Sequence, residues 1–199
     1  MIAALYVQKG GAYFGLEGVD PWDEARDARR YVGPHAVVAH PPCARWCRLA
    51  GLVQSRYPHL RKGEDGGCFA AALAAVRRWG GVLEHPAWSA AWPRFGLPAP
   101  PREGGWILTP CGGYTCHVEQ RQYGHRAAKG TWLYAVGCAL PELRWGKGAP
   151  PELYVSSCSK RADGSFIRRT GVELMGKREA SATPPAFKQV LISMARSVY

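Results

Sequence analysis

The chain has 199 residues, 47% of them hydrophobic and 21% charged, with 24 Gly and 16 Pro. That mixture excludes collagen, coiled coil and wholesale disorder, and the length fits one domain whose core needs no disulfides. Lys and Arg total 26 against 15 acids, a net charge of +11. The first half carries 12 basic and 8 acidic residues and the second 14 and 7, so the excess is no tail. A compact basic domain points to a polyanionic partner, with nucleic acid the commonest.

No apolar run approaches the roughly 20 residues that span a bilayer. The start, Met1 to Tyr6, lacks the basic region and longer apolar core of a signal peptide. The expectation is a cytoplasmic protein without membrane contact. The seven cysteines, an odd number, argue against a disulfide framework. They are read as reduced thiols: buried hydrophobes, metal ligands or a nucleophile.

In chain order, Ala36-Val37-Val38-Ala39-His40 reads as a buried strand stopped by Pro41-Pro42. Gly66 to Trp79 is rich in helix formers and ends at Gly80-Gly81. Gly81-Val82-Leu83-Glu84-His85 is a second short strand, stopped by Pro86. Strand, helix, strand outlines a βαβ unit and a parallel sheet. Pro93 to Gly105 is loop-like. Tyr114 to Glu119 and Thr131 to Val136 read as strands flanking a polar segment, Gln120 to Lys129. Ser156 to Arg169 is polar and basic, an exposed loop or hairpin turning at Asp163-Gly164. The tail from Pro184-Pro185 to Arg196 is a helix with Phe187, Val190, Leu191 and Met194 on one face.

Ligands of such sheets bind beyond the carboxyl ends of the strands. Those ends carry His40-Pro41-Pro42-Cys43 and Glu84-His85-Pro86. Arg45, Arg48 and His40 would supply a positive field that lowers the Cys43 pKa and favours its thiolate. A thiolate with a carboxyl group on the next strand suits a pyrimidine ring. The sulfur adds at C6 while the acid engages N3. Reaching such a base in nucleic acid requires flipping it into a pocket, for which Trp46, Trp88, Trp92, Tyr123 and Trp132 are the aromatic candidates.

The order Pro-Pro-Cys, then Glu after a strand, then Gln-Tyr-Gly with downstream basic residues resembles the DNA cytosine-5 methyltransferases, particularly their short phage-type forms. The resemblance implies a single-domain α/β fold with a mostly parallel sheet and a Rossmann-like core. It implies a transferase acting on DNA in a bacterial or phage-infected cell. In that family the Pro-Pro-Cys cysteine, here Cys43, attacks C6. The glutamate of its Glu-Asn-Val motif, here Glu84, contacts and protonates N3; His85-Pro86 replace Asn-Val. Counting from Tyr123-Gly124, the Gln of the family's Gln-x-Arg-x-Arg falls on Ala127 and its first Arg on Lys129. Lys129, beside Arg126, then takes the basic role.

Cys43, Glu84 and Lys129 are thus the catalytic candidates. His40, Pro42, Trp46, His85, Gln122, Tyr123, His125, Arg126 and Thr131 are the candidate substrate contacts. The family binds S-adenosylmethionine with a Gly-rich turn and an acid, matched here by Gly10, Gly11 and Asp20. Only about 30 residues separate Gly11 from Cys43, too few for several full βα units. The donor half is therefore abbreviated, which leaves room for another donor or an already modified pyrimidine.

Two further readings use the same residues. One is a nucleic-acid-binding module that has this fold and no catalysis. The other is a zinc protein using Cys/His clusters, chiefly Cys111, Cys116 and His117, at spacings unlike the Cys-x2-Cys pairs of ordinary zinc fingers.

Overall fold

The computed structural model describes residues 1–160 and 164–198, the side chains of 159 and 160 excepted. Short apolar segments build its centre. β1 (Ile2–Leu5), β3 (Ala36–Ala39) and β4 (Gly81–Pro86) are almost wholly buried, as strands covered on both faces must be. β2 (Val19–Trp22) is half-buried and holds Pro21, which an edge strand tolerates because one side of its ladder is unpaired. The second half adds β5 (Ile107–Leu108), β6 (Tyr114–Glu119) and β7 (Gly130–Val136). Together they form one seven-stranded sheet in the order β2-β1-β3-β4-β7-β6-β5.

The sheet is mixed, which corrects the expectation of a mostly parallel one. β2, β1, β3 and β4 are parallel neighbours, whereas the β4–β7, β7–β6 and β6–β5 pairs are antiparallel. The cause lies in the connections. β3 and β4 are joined through the helix α2 (Cys68–Trp79), long enough to cross over. After β4 the chain makes only the short helix α3 (Ala91–Arg94) and a proline-rich loop. β6 and β7 are then joined by a 3-10 turn (Gln120–Tyr123) and a few loop residues, too short for a parallel return.

Two helices cover the two faces. α2 buries Phe69, Ala72, Leu73 and Val76, at helical spacing, against Val37, Ala39, Leu83 and Trp132. Two shorter helices lie outside these layers: α1 (Ala50–Arg56) follows the Cys43 loop and α4 (Lys177–Ser181) precedes the C-terminal helix. α5 (Pro185–Arg196) starts on a proline at its first turn and buries Phe187, Leu191, Ile192 and Met194 against Val38, Val82, Val118 and Leu133. Strand parity then decides which side chains share a face. Val37, Ala39 and Leu83 face α2; Val38 and Val82 face α5. His40, just past the end of β3, and Glu84, within β4, continue the α5-side set.

The basic segment forms an antiparallel pair, β8 (Cys158–Lys160) with β9 (Phe166–Arg168). Asp163, assigned from sequence to its turn, lies outside the described residues. No helix among the described residues is long and apolar enough to cross a membrane.

The α2–β4 joint depends on Gly81. Its φ is +113°, and a Cβ there would stand 2.0 Å from the Val37 carbonyl oxygen in the adjacent strand. Gly81→Ala is therefore expected to destabilise the fold by on the order of 3 kcal/mol, measured by denaturant unfolding.

Candidate functional site

The site starts where β3 ends. The His40 N–H still donates to the Leu5 carbonyl at 3.0 Å, and Pro41-Pro42 then stop the strand. Cys43 opens a helical turn: the N–H groups of Trp46 and Cys47 both donate to its carbonyl at 2.9 Å. Trp46 fixes that turn. Its indole N–H donates to Asp65 Oδ2 at 2.8 Å, and its ring packs on Phe69 and Phe95. Trp46 is thus a buried anchor for the cysteine loop, not a wall of the site.

Glu84 is the centre. His40 Nδ1 lies 2.9 Å from Oε2, and the Gln120 amide nitrogen donates to Oε1 at 3.1 Å. The same amide nitrogen donates to Thr131 Oγ1 at 2.9 Å. Lys129 lies near enough for its charge to act on both Glu84 and Cys43. Its ammonium donates to the carbonyls of Ala182 at 3.0 Å and Ser181 at 3.4 Å, between α4 and α5. Burial opposes the Glu84 charge, but the His40 hydrogen bond and charge, then Lys129, outweigh it and hold the carboxyl at about 2. Burial lowers the Lys129 pKa, while Glu84 and Cys43 favour its charged form.

Two members of this network carry no motif. Tyr13 sits in the loop after β1, buried, with its hydroxyl 2.8 Å from His40 Nε2. Gly10 and Gly11 belong to that loop; the Gly11 N–H donates to the Gln8 carbonyl in the turn that carries the chain toward Tyr13. Gln120 is fully buried. Its signal was the alternation of β6: Cys116 and Val118 are buried on the α5 side, and Gln120 is the next residue of that parity.

The structure brings together Cys43, Glu84, Lys129, His40 and Thr131, and leaves other candidates elsewhere. Pro42 is exposed on the cysteine loop. His85, next to Glu84, points to the opposite face, fully buried between Phe69 and Trp92, and burial drives its pKa down to about 4. Tyr123 packs on Phe187, and its hydroxyl accepts from the Arg144 N–H. Gln122 donates to the Trp145 carbonyl. His125 closes a turn onto Ala127, and Arg126 pairs with Glu152 and Glu179 at the surface. Asp20, on β2, is held by Arg26 and Trp22.

The structure does not bring Cys111, Cys116 and His117 together around one point. Cys116 and His117 are consecutive in β6 and face opposite sides. Cys116 lies in the α5-side core, while His117 accepts from the Trp132 indole at 3.1 Å. Cys111 is exposed and takes a hydrogen bond from Arg77 at 2.9 Å. Among the described residues no group of three His, Cys, Asp or Glu side chains is placed to hold an ion.

The expected low pKa of Cys43 is also corrected. Burial pushes the thiol up to about 11, Cys47 and Glu84 add to the rise, and Lys129 opposes it. The cation seen to favour the thiolate is Lys129.

A cleft of about 630 Å³ adjoins the cysteine loop at Pro42. It is lined by Tyr6, Asp23, Glu24, Arg29 and Cys68, among others, beyond the carboxyl ends of β1 and β2. The Tyr6 hydroxyl is buried there with no partner among the described residues. No protein family, curated protein or solved structure matches this chain.

Thiolate chemistry at Cys43 should therefore be slow at neutral pH. Alkylation by iodoacetamide, followed for each cysteine by peptide mass spectrometry, is expected to rise about tenfold per pH unit from 7 to 10 at Cys43. Lys129→Met should slow it severalfold, because burial then acts on the thiol unopposed. Exposed Cys111, whose pKa the Thr109 hydroxyl and Arg77 lower against burial, should react first.

Proposed function

We propose that the protein modifies a pyrimidine base in nucleic acid, DNA first, through a covalent bond between Cys43 Sγ and ring C6. One observation carries this reading: a cysteine loop just beyond β3, the carboxylate of Glu84 in the second half of β4 and the Lys129 ammonium converge. The strand order supports it. Parallel β2-β1-β3-β4 followed by antiparallel β7-β6 is compatible with a Rossmann-like, methyltransferase-type core shortened before β3. The net charge of +11 suits a phosphate-backed substrate.

In this mechanism the sulfur adds to C6 and the electron pair of the C5–C6 double bond moves to C5. The Lys129 ammonium and the groups bonded to Glu84 hold the ring and the charge that builds on it. The Pro42–Trp46 turn fixes the direction of attack.

The adjoining cleft is the natural compartment for a group donor. S-adenosylmethionine carries a positive sulfonium and a ribose diol. The carboxylates of Asp23 and Glu24 and the Tyr6 hydroxyl, which has no partner among the described residues, fit those features. When bound, that donor supplies a methyl group. Gly10, Gly11 and Asp20 do not line the cleft, so the donor contacts read from sequence shift to these residues.

Addition and elimination at C6 need no donor to be observed. Reversible attack makes C5 basic, so it takes a deuteron from heavy water, loses its own proton and re-forms the double bond as the thiolate leaves. Incubation with random-sequence DNA containing dU and dC in heavy water should therefore place deuterium at C5, read by nucleoside mass spectrometry. Cys43→Ser should lower the rate at least a hundredfold. Equal exchange by the variant would refute the covalent mechanism.

A further inference from the structure

The hydrogen-bond directions around Glu84 define which pyrimidine edge the site can receive. Thr131 Oγ1 lies 3.3 Å from the Lys129 carbonyl, which can only accept, so the hydroxyl hydrogen points there. Oγ1 must then accept from the Gln120 amide nitrogen, and that fixes the amide. Its nitrogen also faces Glu84 Oε1, while Gln120 Oε1 is buried with no partner among the described residues. On the other side, His40 Nε2 faces the Tyr13 hydroxyl and Nδ1 faces Glu84 Oε2. Both carboxylate oxygens thus receive N–H donors from fixed side chains. The lone pairs that remain on Glu84 only accept, and Lys129 beside it only donates.

We infer that the pyrimidine accepted here carries a hydrogen on N3, as uracil-type rings do and cytosine does not. This rests on the proposed base-modifying function and narrows its substrate class. A uracil ring presents N3–H beside the O4 carbonyl: the hydrogen bonds Glu84, and the carbonyl takes a Lys129 hydrogen. Cytosine presents an unprotonated N3 beside an amino group. Set in the same way, its N3 lone pair meets the carboxylate and its amino group meets the ammonium, so both contacts repel. The low pKa of Glu84 agrees with this, since a carboxylate that resists protonation cannot supply the proton that N3 of cytosine would need.

The test separates the two bases. Full-length protein is incubated in heavy water at pH 7.5 with random-sequence oligonucleotides, single- and double-stranded, containing either dU or dC as the reactive pyrimidine. Deuterium at C5 is read by nucleoside mass spectrometry, with Cys43→Ser as control. The expected result is exchange at dU at least tenfold faster than at dC. Glu84→Gln, whose amide can also donate, should reduce that ratio toward one. Exchange at dC equal to or faster than at dU, dependent on Cys43, overturns the N3 inference and keeps the covalent mechanism. No Cys43-dependent exchange at either base overturns the function reading itself.

Discussion

A carboxylate kept ionised in a nearly dry position is the constraint on which the site depends. Glu84 retains only about a tenth of its side-chain exposure, and a lone charge there would be costly. Three groups offset that cost: His40 after β3, Gln120 after β6 and Lys129 before β7. Each is held by a further contact, His40 by Tyr13, Gln120 by Thr131 and Lys129 by the carbonyls ahead of α5. The network therefore ties the N-terminal loop, three strands and the C-terminal segment to one carboxylate. Removing one donor leaves the others arranged around an undercompensated charge, so they act as a unit.

The mixed sheet makes this convergence possible. A parallel strand beside β4 would place its own carboxyl end next to Glu84. Antiparallel β7 presents its amino end instead, pairing Thr131 with Pro86 and Leu133 with Glu84. Lys129 thereby reaches the carboxyl ends of β3 and β4. The departure from an all-parallel fold is thus what delivers the cation to the cysteine and the carboxylate.

Much of this was legible from local pattern. The β3–α2–β4 unit followed from apolar runs punctuated by proline and glycine, and Cys43 and Glu84 lay at the strand ends where ligands bind, whereas Lys129 was reached through the family resemblance. Parity alone separates His85 from Glu84, since neighbours in a strand face opposite ways. Tyr13 was not legible, because its role arises only when a loop 27 residues away in sequence folds back onto His40. The Cys43 pKa was misjudged for a related reason. Nearby arginines in sequence do not measure burial, and burial dominates that thiol. Trp46 was read as a base-stacking surface, yet its partner Asp65 turns it inward.

The most direct measurement of the central claim is the titration of the Glu84 side-chain carbon by NMR. The resonance would be assigned by comparison with Glu84→Gln. An ionised carboxylate bound by His40, Gln120 and Lys129 predicts no protonation from pH 8 down to about 3. A midpoint at or above the ordinary glutamate value of 4.5 would contradict the account, because the surrounding donors would then not be stabilising the charge.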